Sequence, residues 1–124
     1  MSSKQTILVV DDDLPIIVLM RALLKEYGYE PVTASTGAEA LEKARQHHPD
    51  LILLDRYMPG MSGDEVIPAL RAEPGLDQVP ILILSGEPIA PAELIRLGVN
   101  GSILKPFDIN DLVEQIRTYA GVRA

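Results

Sequence analysis

The chain has 124 residues, enough for one domain with a single buried core. It contains no cysteine, which excludes disulfides, thiolate chemistry and cysteine-held metal sites. The formal net charge is −7 at pH 7 and no basic run occurs, which argues against direct binding to nucleic acid. No apolar run is long enough for a bilayer span or a signal peptide, so we expect a cytoplasmic protein without a membrane contact.

The first half of the chain alternates twice between a strand pattern and a helix pattern. Residues 7–10 form a continuous apolar run, typical of a strand buried on both faces of a parallel sheet. Residues 14–27 then show helical spacing up to Gly28, where we expect the helix to end. The apolar positions of this helix are Ile17, Met20, Leu23, Leu24 and Tyr27. The weaker run 31–34 predicts a strand nearer the sheet edge, and a capping-box pattern at Thr36 begins the second helix.

The same alternation continues through the second half of the chain. Residues 51–54 and 81–84 are two further apolar runs of strand length, and the weaker run 102–104 suits a sheet edge. The helices that follow these runs are predicted to begin, in order, at the capping box of Ser62, at Pro91 and at Asp108.

Five strand–helix repeats predict right-handed crossovers and a parallel sheet with helices on both faces. The expected fold class is α/β: a three-layer, flavodoxin-like (βα)5 arrangement with a five-stranded parallel sheet in the order 2-1-3-4-5. No linker interrupts the pattern, so residues 1–124 are predicted to form one domain with a core over residues 6–120.

Polar side chains follow the predicted strands at the sheet edge where such folds bind ligands. These residues are, in strand order, Asp11, Asp12 and Asp13, then Asp55, Ser85 and Lys105. Converging carboxylates repel one another unless a cation lies between them, and one lysine cannot balance three of them. Oxygen ligands select magnesium over zinc or copper. The pattern therefore predicts a Mg²⁺ site suited to phosphoryl transfer onto a carboxylate.

Simpler roles compete with this interpretation at several positions. Asp13 directly precedes the first helix and is more simply explained as a helix cap. Ser85 also fits a plain turn hydroxyl, and Lys105 a solvated lysine. Arg56 and Glu87 flank the site, where they fit either control of water access or ordinary surface charge.

Four segments together resemble the receiver domains of two-component signalling, and the resemblance extends over about residues 7–119. The segments are 9–13, 50–63, 83–86 and 104–107. Each match is weak alone, but their order and their positions at predicted strand ends make the combination specific. The resemblance implies that Asp55 accepts a phosphoryl group from a sensor histidine kinase or phosphotransfer protein. Such a protein is a signalling switch and not a turnover enzyme, although it catalyses its own phosphorylation and dephosphorylation.

The resemblance also implies roles for the remaining site residues. The implied protein ligands of Mg²⁺ are Asp12 and Asp55, Asp11 through water, and the backbone carbonyl of Tyr57. Lys105 would contact the carboxylate and then the phosphoryl group, and a cis peptide bond would precede Pro106. Ser85 would report phosphorylation to a downstream protein target or a linked output domain.

Two features depart from the family's pattern. Ser102 stands three residues before Lys105, where receivers usually carry Tyr or Phe. The segment between Ser85 and Lys105 is shorter than usual and contains Pro88 and Pro91, which fix backbone angles and remove donors. We therefore expect a short fourth helix and an atypical readout.

Two alternative functions stay open. A haloacid-dehalogenase-like phosphatase also uses an Asp nucleophile and Mg²⁺, and the first acidic run has its Asp-x-Asp spacing. However, Pro15 replaces the hydroxyl residue expected there, and the chain is short for a substrate-covering cap. A pseudo-receiver, which serves as a docking or dimerisation surface without phosphorylation, is favoured by Ser102 and disfavoured by Asp55 and Lys105.

Overall fold

The computed structural model describes residues 4–120, and strands and helices alternate along them. The elements in chain order are β1 Thr6–Val10, α1 Leu14–Glu26, β2 Glu30–Ala34, α2 Gly37–His47, β3 Leu51–Asp55, α3 Gly63–Ala72, β4 Ile81–Ser85, α4 Pro91–Leu97, β5 Gly101–Leu104 and α5 Ile109–Ala120. No helix among these is both long and apolar enough to cross a membrane.

The five strands form one parallel sheet in the order β2-β1-β3-β4-β5, which confirms the predicted topology. Val10 pairs with Leu54 in the register, so the residues that follow β1 and end β3 are neighbours at the carboxyl edge of the sheet. Ser85, the last residue of β4, pairs with Leu104 of β5, which brings Lys105 to the same edge.

The sheet separates two apolar layers. Ile7 and Val9 of β1 pack with residues of α1 and α5, whereas Leu8 and Val10 pack with residues of α2 and α3. Each strand of the sheet centre is therefore buried on both faces, which explains its unbroken apolar sequence. One predicted position on the buried face of α1 is wrong: Tyr27 is 41% exposed, because the helix ends at Glu26.

The two predicted capping boxes differ. Ser62 forms a complete box with Glu65, in which each side chain bonds the backbone N–H of the other residue. The Thr36 hydroxyl accepts from the backbone N–H of Glu39 at 3.1 Å, as predicted. The Glu39 carboxylate, however, accepts from the N–H of Ser35 at 2.6 Å and not from that of Thr36, so the box at Thr36 is only half formed.

The aspartates that precede α1 and α5 behave differently from each other. Asp108 accepts a hydrogen bond from the backbone N–H of Asp111 at 3.0 Å, as predicted. Asp13 occupies the N-cap position of α1 without a side-chain cap bond; its backbone carbonyl accepts from the N–H of Ile17. The predicted side-chain cap at Asp13 is therefore wrong, and its own N–H donates to Asp11 Oδ1 at 3.0 Å.

Helix α4 is short, as predicted, and ends at Gly98 with φ of 77°. The Arg71 guanidinium of α3 donates to the backbone carbonyls of Leu76 and Val79 and, through Nη2 at 2.9 Å, to that of Gly98. Burial lowers the pKa of Arg71. One side chain thus joins the loop between α3 and β4 to the carboxyl end of α4.

Gly63, the first residue of α3, lies directly against the end of β3. A Cβ atom there would come within 2.7 Å of the Asp55 carbonyl oxygen and 3.0 Å of Arg56 Cα, which are backbone atoms that cannot rotate away. We expect Gly63→Ala to lower the free energy of unfolding by about 1–3 kcal/mol. Urea denaturation measures this.

The matched control for that variant is Gly86→Ala. A Cβ atom at Gly86 would meet no atom within 4 Å, and its φ is not positive. Its unfolding free energy should stay within about 0.5 kcal/mol of the parent value. Equal urea midpoints for the two variants would contradict the close approach at Gly63.

Candidate functional site

Three carboxylates meet at the carboxyl edge of the sheet. Asp11 follows β1 and is fully buried, Asp55 ends β3 and is 7% exposed, and Asp12 is exposed. One carboxylate oxygen from each of the three lies within 4.8 Å of the other two. The sequence predicted this convergence from the strand order alone, and the structure brings the three residues together.

Lys105 joins two of these carboxylates. Its Nζ donates to Asp11 Oδ2 at 2.9 Å and to Asp55 Oδ1 at 3.3 Å. Because β4 lies between β5 and β3, the lysine side chain crosses the end of β4, where Ser85 is small. The Lys105–Pro106 peptide bond is cis, as the resemblance implied. A solvated surface lysine is therefore the wrong interpretation of Lys105.

The electrostatics of the cluster leave an excess of negative charge. Burial raises the pKa of Asp55 and the charge of Asp11 raises it further, while the charge and hydrogen bond of Lys105 lower it without cancelling the rise. Burial lowers the pKa of Lys105, but its hydrogen bonds and charge interactions with Asp11 and Asp55 together raise it. The lysine thus stays an ammonium ion, while the ionised form of Asp55 is disfavoured. A further cation would relieve this repulsion.

Both carboxylate oxygens of Asp11 already have donors. Oδ2 accepts from Lys105 and Oδ1 accepts from the backbone N–H of Asp13. Asp12 has no such constraint and lines, with Asp11, a cavity of about 380 Å³ that extends towards β2. This cavity lies on the β2 side of the cluster and is not lined by Asp55 or Lys105.

Ser85 lies at the site, but its hydroxyl bonds to its own loop. It is 5% exposed; its Oγ accepts from the N–H of Glu87 at 3.1 Å and donates to the carbonyl oxygen of the same residue at 2.8 Å. This is the turn arrangement that the sequence left open as the simpler role. The structure brings Ser85 to the rim of the site without a hydrogen bond to Asp55.

Arg56 forms ion pairs that the sequence did not predict. Its guanidinium donates to both carboxylate oxygens of Asp64 at 3.2 and 3.3 Å and lies 3.8 Å from Glu93 Oε1, with its side chain only 16% exposed. The alternative of a solvated charge is therefore wrong for Arg56. The neighbouring Tyr57 side chain is 72% exposed and packs beneath the Arg56 guanidinium, 5.6 Å from ring centroid to Cζ.

Comparison with known sequences gives a consistent result. The family model of the response regulator receiver domain matches residues 7–117. The chain is 36% identical over 116 residues to the DNA-binding response regulator MtrA of Mycobacterium tuberculosis, with 92% of this chain and 50% of MtrA covered. It is 34% identical over 119 residues to the polar-differentiation response regulator DivK of Brucella ovis, with 94% of this chain and 97% of DivK covered.

The lengths of these relatives differ. The chain spans half of MtrA and 7% of the hybrid signal transduction histidine kinase D of Dictyostelium discoideum, to which it is 38% identical over 116 residues. It spans nearly all of DivK. The same domain thus occurs among its relatives within longer proteins and with little else attached.

Solved structures agree with the sequence comparisons. The chemotaxis protein CheY4 of Vibrio cholerae superposes with a TM-score of 0.88 at 34% identity, covering 94% of this chain and 98% of that one. The receiver domain of sensor histidine kinase PA1611 of Pseudomonas aeruginosa, described with a magnesium ion coordinated in its active-site cleft, gives a TM-score of 0.86 at 26% identity, with 96% and 99% covered. The chain belongs to the response regulator receiver family of two-component signalling.

Proposed function

We propose that Asp55 is the phosphoryl acceptor of this receiver domain and takes the group from a phosphohistidine on a sensor histidine kinase or phosphotransfer protein. The observation that carries the proposal is the contact of the Lys105 ammonium with both Asp55 and Asp11 beside a third carboxylate. Residues 1–124 are proposed to form this one domain, with a core over residues 6–120. The cytoplasm stays the predicted location.

The residues of the cluster fit a magnesium ion. Three carboxylates with a single ammonium leave an uncompensated negative charge, and all the offered ligands are oxygens, which Mg²⁺ prefers. Asp12 and Asp55 are the proposed direct ligands, together with the backbone carbonyl of Tyr57. The two occupied oxygens of Asp11 support a contact through water. The magnesium ion in the PA1611 receiver domain supports the same assignment.

The proposed reaction is a displacement at phosphorus. An Asp55 carboxylate oxygen forms a bond to the phosphorus while the bond from phosphorus to the donor's imidazole nitrogen breaks, and the electron pair of that bond stays on the leaving nitrogen. The loose transition state needs positioning and charge neutralisation and little else. Lys105, 3.3 Å from Asp55 Oδ1, supplies part of that charge, and Mg²⁺, when bound, supplies more.

Ser85 is the proposed link between phosphorylation and the surface. A phosphoryl group on Asp55 offers charged acceptor oxygens, which form stronger hydrogen bonds than the neutral carbonyl of Glu87 does. The hydroxyl would exchange its bonds, and the loop after β4 would follow. Half-buried Ser102 lines a cleft of about 210 Å³ beside this loop, so the rearrangement has space there. The proposed receiver of the change is a downstream protein or a linked output domain.

The alternatives are less well supported. Membership of the receiver family gives no support to a small-molecule phosphatase, and the proposed activity is a single signalling event and not turnover. A pseudo-receiver would not need the contact of Lys105 with Asp55, which the structure contains.

Phosphorylation by a small phosphodonor tests the acceptor directly. We expect one phosphoryl group per chain in the presence of Mg²⁺, mapped to Asp55 by mass spectrometry, and little without the ion. Asp55→Asn should not be labelled, because its amide is not a nucleophile under these conditions. Asp77→Asn, in the loop between α3 and β4 outside the cluster, is the control and should be labelled like the parent. Labelling at a residue other than Asp55 would overturn the assignment.

Lys105→Ala tests the role of the ammonium group. We expect the variant to fold and bind Mg²⁺ but to lose most of the phosphorylation-dependent change at the loop after Ser85, because that change needs the phosphoryl group held in place. Amide NMR shifts of Gly86 and Glu87 measure the change at equal phosphorylation, determined by mass spectrometry. Lys25→Ala, a lysine on α1 outside the site, is the control. Unchanged coupling in Lys105→Ala would refute the role.

The raised pKa of Asp55 predicts a stability effect with a defined sign. The pKa of Asp55 is higher in the folded state than in the unfolded state, because the folded protein disfavours the ionised carboxylate. Asp55 therefore lowers the free energy of unfolding at pH values above its folded pKa. This destabilisation is lost as the pH falls through the folded pKa to below the unfolded one. In chelator at pH 7, Asp55→Asn should therefore unfold at higher urea concentration than the parent. The difference should shrink towards acidic pH.

Magnesium provides the second measurement of this prediction. An ion at 100 times its dissociation constant stabilises a protein that binds it only when folded by about 2.7 kcal/mol. Mg²⁺ should therefore stabilise the parent more than Asp55→Asn and reduce or reverse the gap seen in chelator. A variant less stable than the parent in chelator at pH 7 would show that the cluster does not repel as described.

A further inference from the structure

A groove along the β2 edge of the sheet gathers positive charge on an otherwise acidic protein. Its volume is about 440 Å³, and it lies on the side of the molecule formed by β2, α1 and α2. The charged residues that line it are Arg21 and Lys25 of α1, Lys43 of α2 and Glu30 of β2, and His47 of α2 lines it beside them. The sequence has no basic run, and the fold creates this concentration from residues far apart in the chain. We call this feature the β2 groove.

The cations of the β2 groove are not neutralised internally. Lys25 and Lys43 form no ion pair with a carboxylate of the described residues, and Arg21 donates to the Thr33 hydroxyl at 2.7 Å. Four other cations of the described residues do pair with carboxylates: Arg45 with Glu73, Arg56 with Asp64, Arg96 with Glu93 and Lys105 with Asp11. Glu30 is the one acidic residue among the lining residues of the groove. The groove therefore carries an unbalanced positive charge.

The three cations and His47 form two rows on opposite faces of the sheet. α1 packs on one face and α2 on the other. Arg21 and Lys25 are four residues apart on α1, as are Lys43 and His47 on α2, which places the members of each row about 6 Å apart along the helix. In an extended chain, side chains alternate between two faces, and those on the same face repeat about every 6.6–6.8 Å. The two spacings match.

The backbone of β2 also restricts what can bind. The Glu30 N–H donates to the carbonyl of Gln5 at 2.9 Å, so alternate residues from Glu30 face β1 and the residues between them, Pro31 and Thr33, face outward. Pro31 has no N–H, which leaves Thr33 as the outward donor within β2 and limits unselective strand pairing. Recognition at this edge therefore depends on the side-chain charges more than on a hydrogen-bond ladder.

We propose that the β2 groove binds an extended acidic segment of a partner protein, with neighbouring Asp or Glu residues reaching the α1 row and the α2 row in turn. A net charge of −7 opposes nucleic acid and anionic membranes, whose dense charge makes long-range repulsion stronger. A short acidic segment carries less charge, so its short-range attraction to the cations of the groove outweighs the long-range repulsion from the rest of the protein. This interaction is separate from phosphoryl transfer, because none of the lysines in the groove lies in the aspartate cluster.

A binding experiment with charge-reversal variants tests the proposal. The probe is a fluorescent peptide with a central run of glutamates, and its glutamine counterpart is the control peptide. Lys25→Glu combined with Lys43→Glu changes one residue in each row, and Arg96→Glu combined with Arg117→Glu makes the same change in net charge elsewhere. Arg21 is left unchanged because it also lines the cavity beside Asp11 and Asp12. Urea denaturation verifies that both variants fold.

We expect the glutamate peptide to bind the parent and the control variant at low salt, and the groove variant at least about tenfold more weakly. Binding should weaken with added salt, and the Thr33 amide should shift in NMR spectra of the parent with the peptide. Equal affinity for the two variants, or for the glutamine peptide, would overturn the proposal. Binding of oligothymidine or anionic vesicles in place of the peptide, or self-association lost only in the groove variant, would assign another occupant and also overturn it.

Discussion

Two carboxylates at the ends of β1 and β3 share one ammonium group that arrives from β5. This contact of Lys105 with Asp11 and Asp55 connects three strands at the edge of the sheet and sets the charge of the site. The lysine is close enough to hold the carboxylates together, but it neutralises only part of their charge, so burial and Asp11 still raise the pKa of Asp55. The unmet charge makes the cluster receptive to a divalent cation and to the transfer of a phosphoryl group.

The loop after β4 is held at the same edge of the sheet. Ser85 ends β4, which lies between the strands of Asp55 and Lys105, and its hydroxyl holds the following loop through two bonds to Glu87. Both hydrogen bonds form without a ligand, so the loop has a defined arrangement. A charged oxygen is a stronger acceptor than the Glu87 carbonyl and can compete for the Ser85 hydroxyl. Arg56, which follows Asp55, pairs with Asp64 of α3 and approaches Glu93 of α4. Strand β3 thus continues directly into contacts with two helices.

Much of this arrangement could be predicted from the sequence, because parallel strands buried on both faces have continuous apolar runs and their carboxyl ends share one edge. That rule was enough to bring Asp12, Asp55 and Lys105 together. It could not predict features that depend on side-chain choice among several partners, such as the Arg56 ion pairs or the absence of a side-chain cap at Asp13. The β2 groove could not be predicted either, because Lys25 and Lys43 are distant in sequence and line one groove only because their helices pack against β2.

The two ends of α4 are held by different contacts, from Arg71 at Gly98 and from Arg56 at Glu93. The Arg71 guanidinium fixes the carbonyl of Gly98, whereas Ala90 at the opposite end has no side-chain cap and follows a loop with exposed residues. A disturbance that starts at Ser85 would reach α4 first at this N-terminal turn, where Glu93 lies 3.8 Å from Arg56, and only then at the Gly98 contact. On the proposed role of Ser85, we expect α4 to tilt about the Arg71 contact at Gly98 more than it slides along the sheet, so a partner bound over α4 would sense a change of angle.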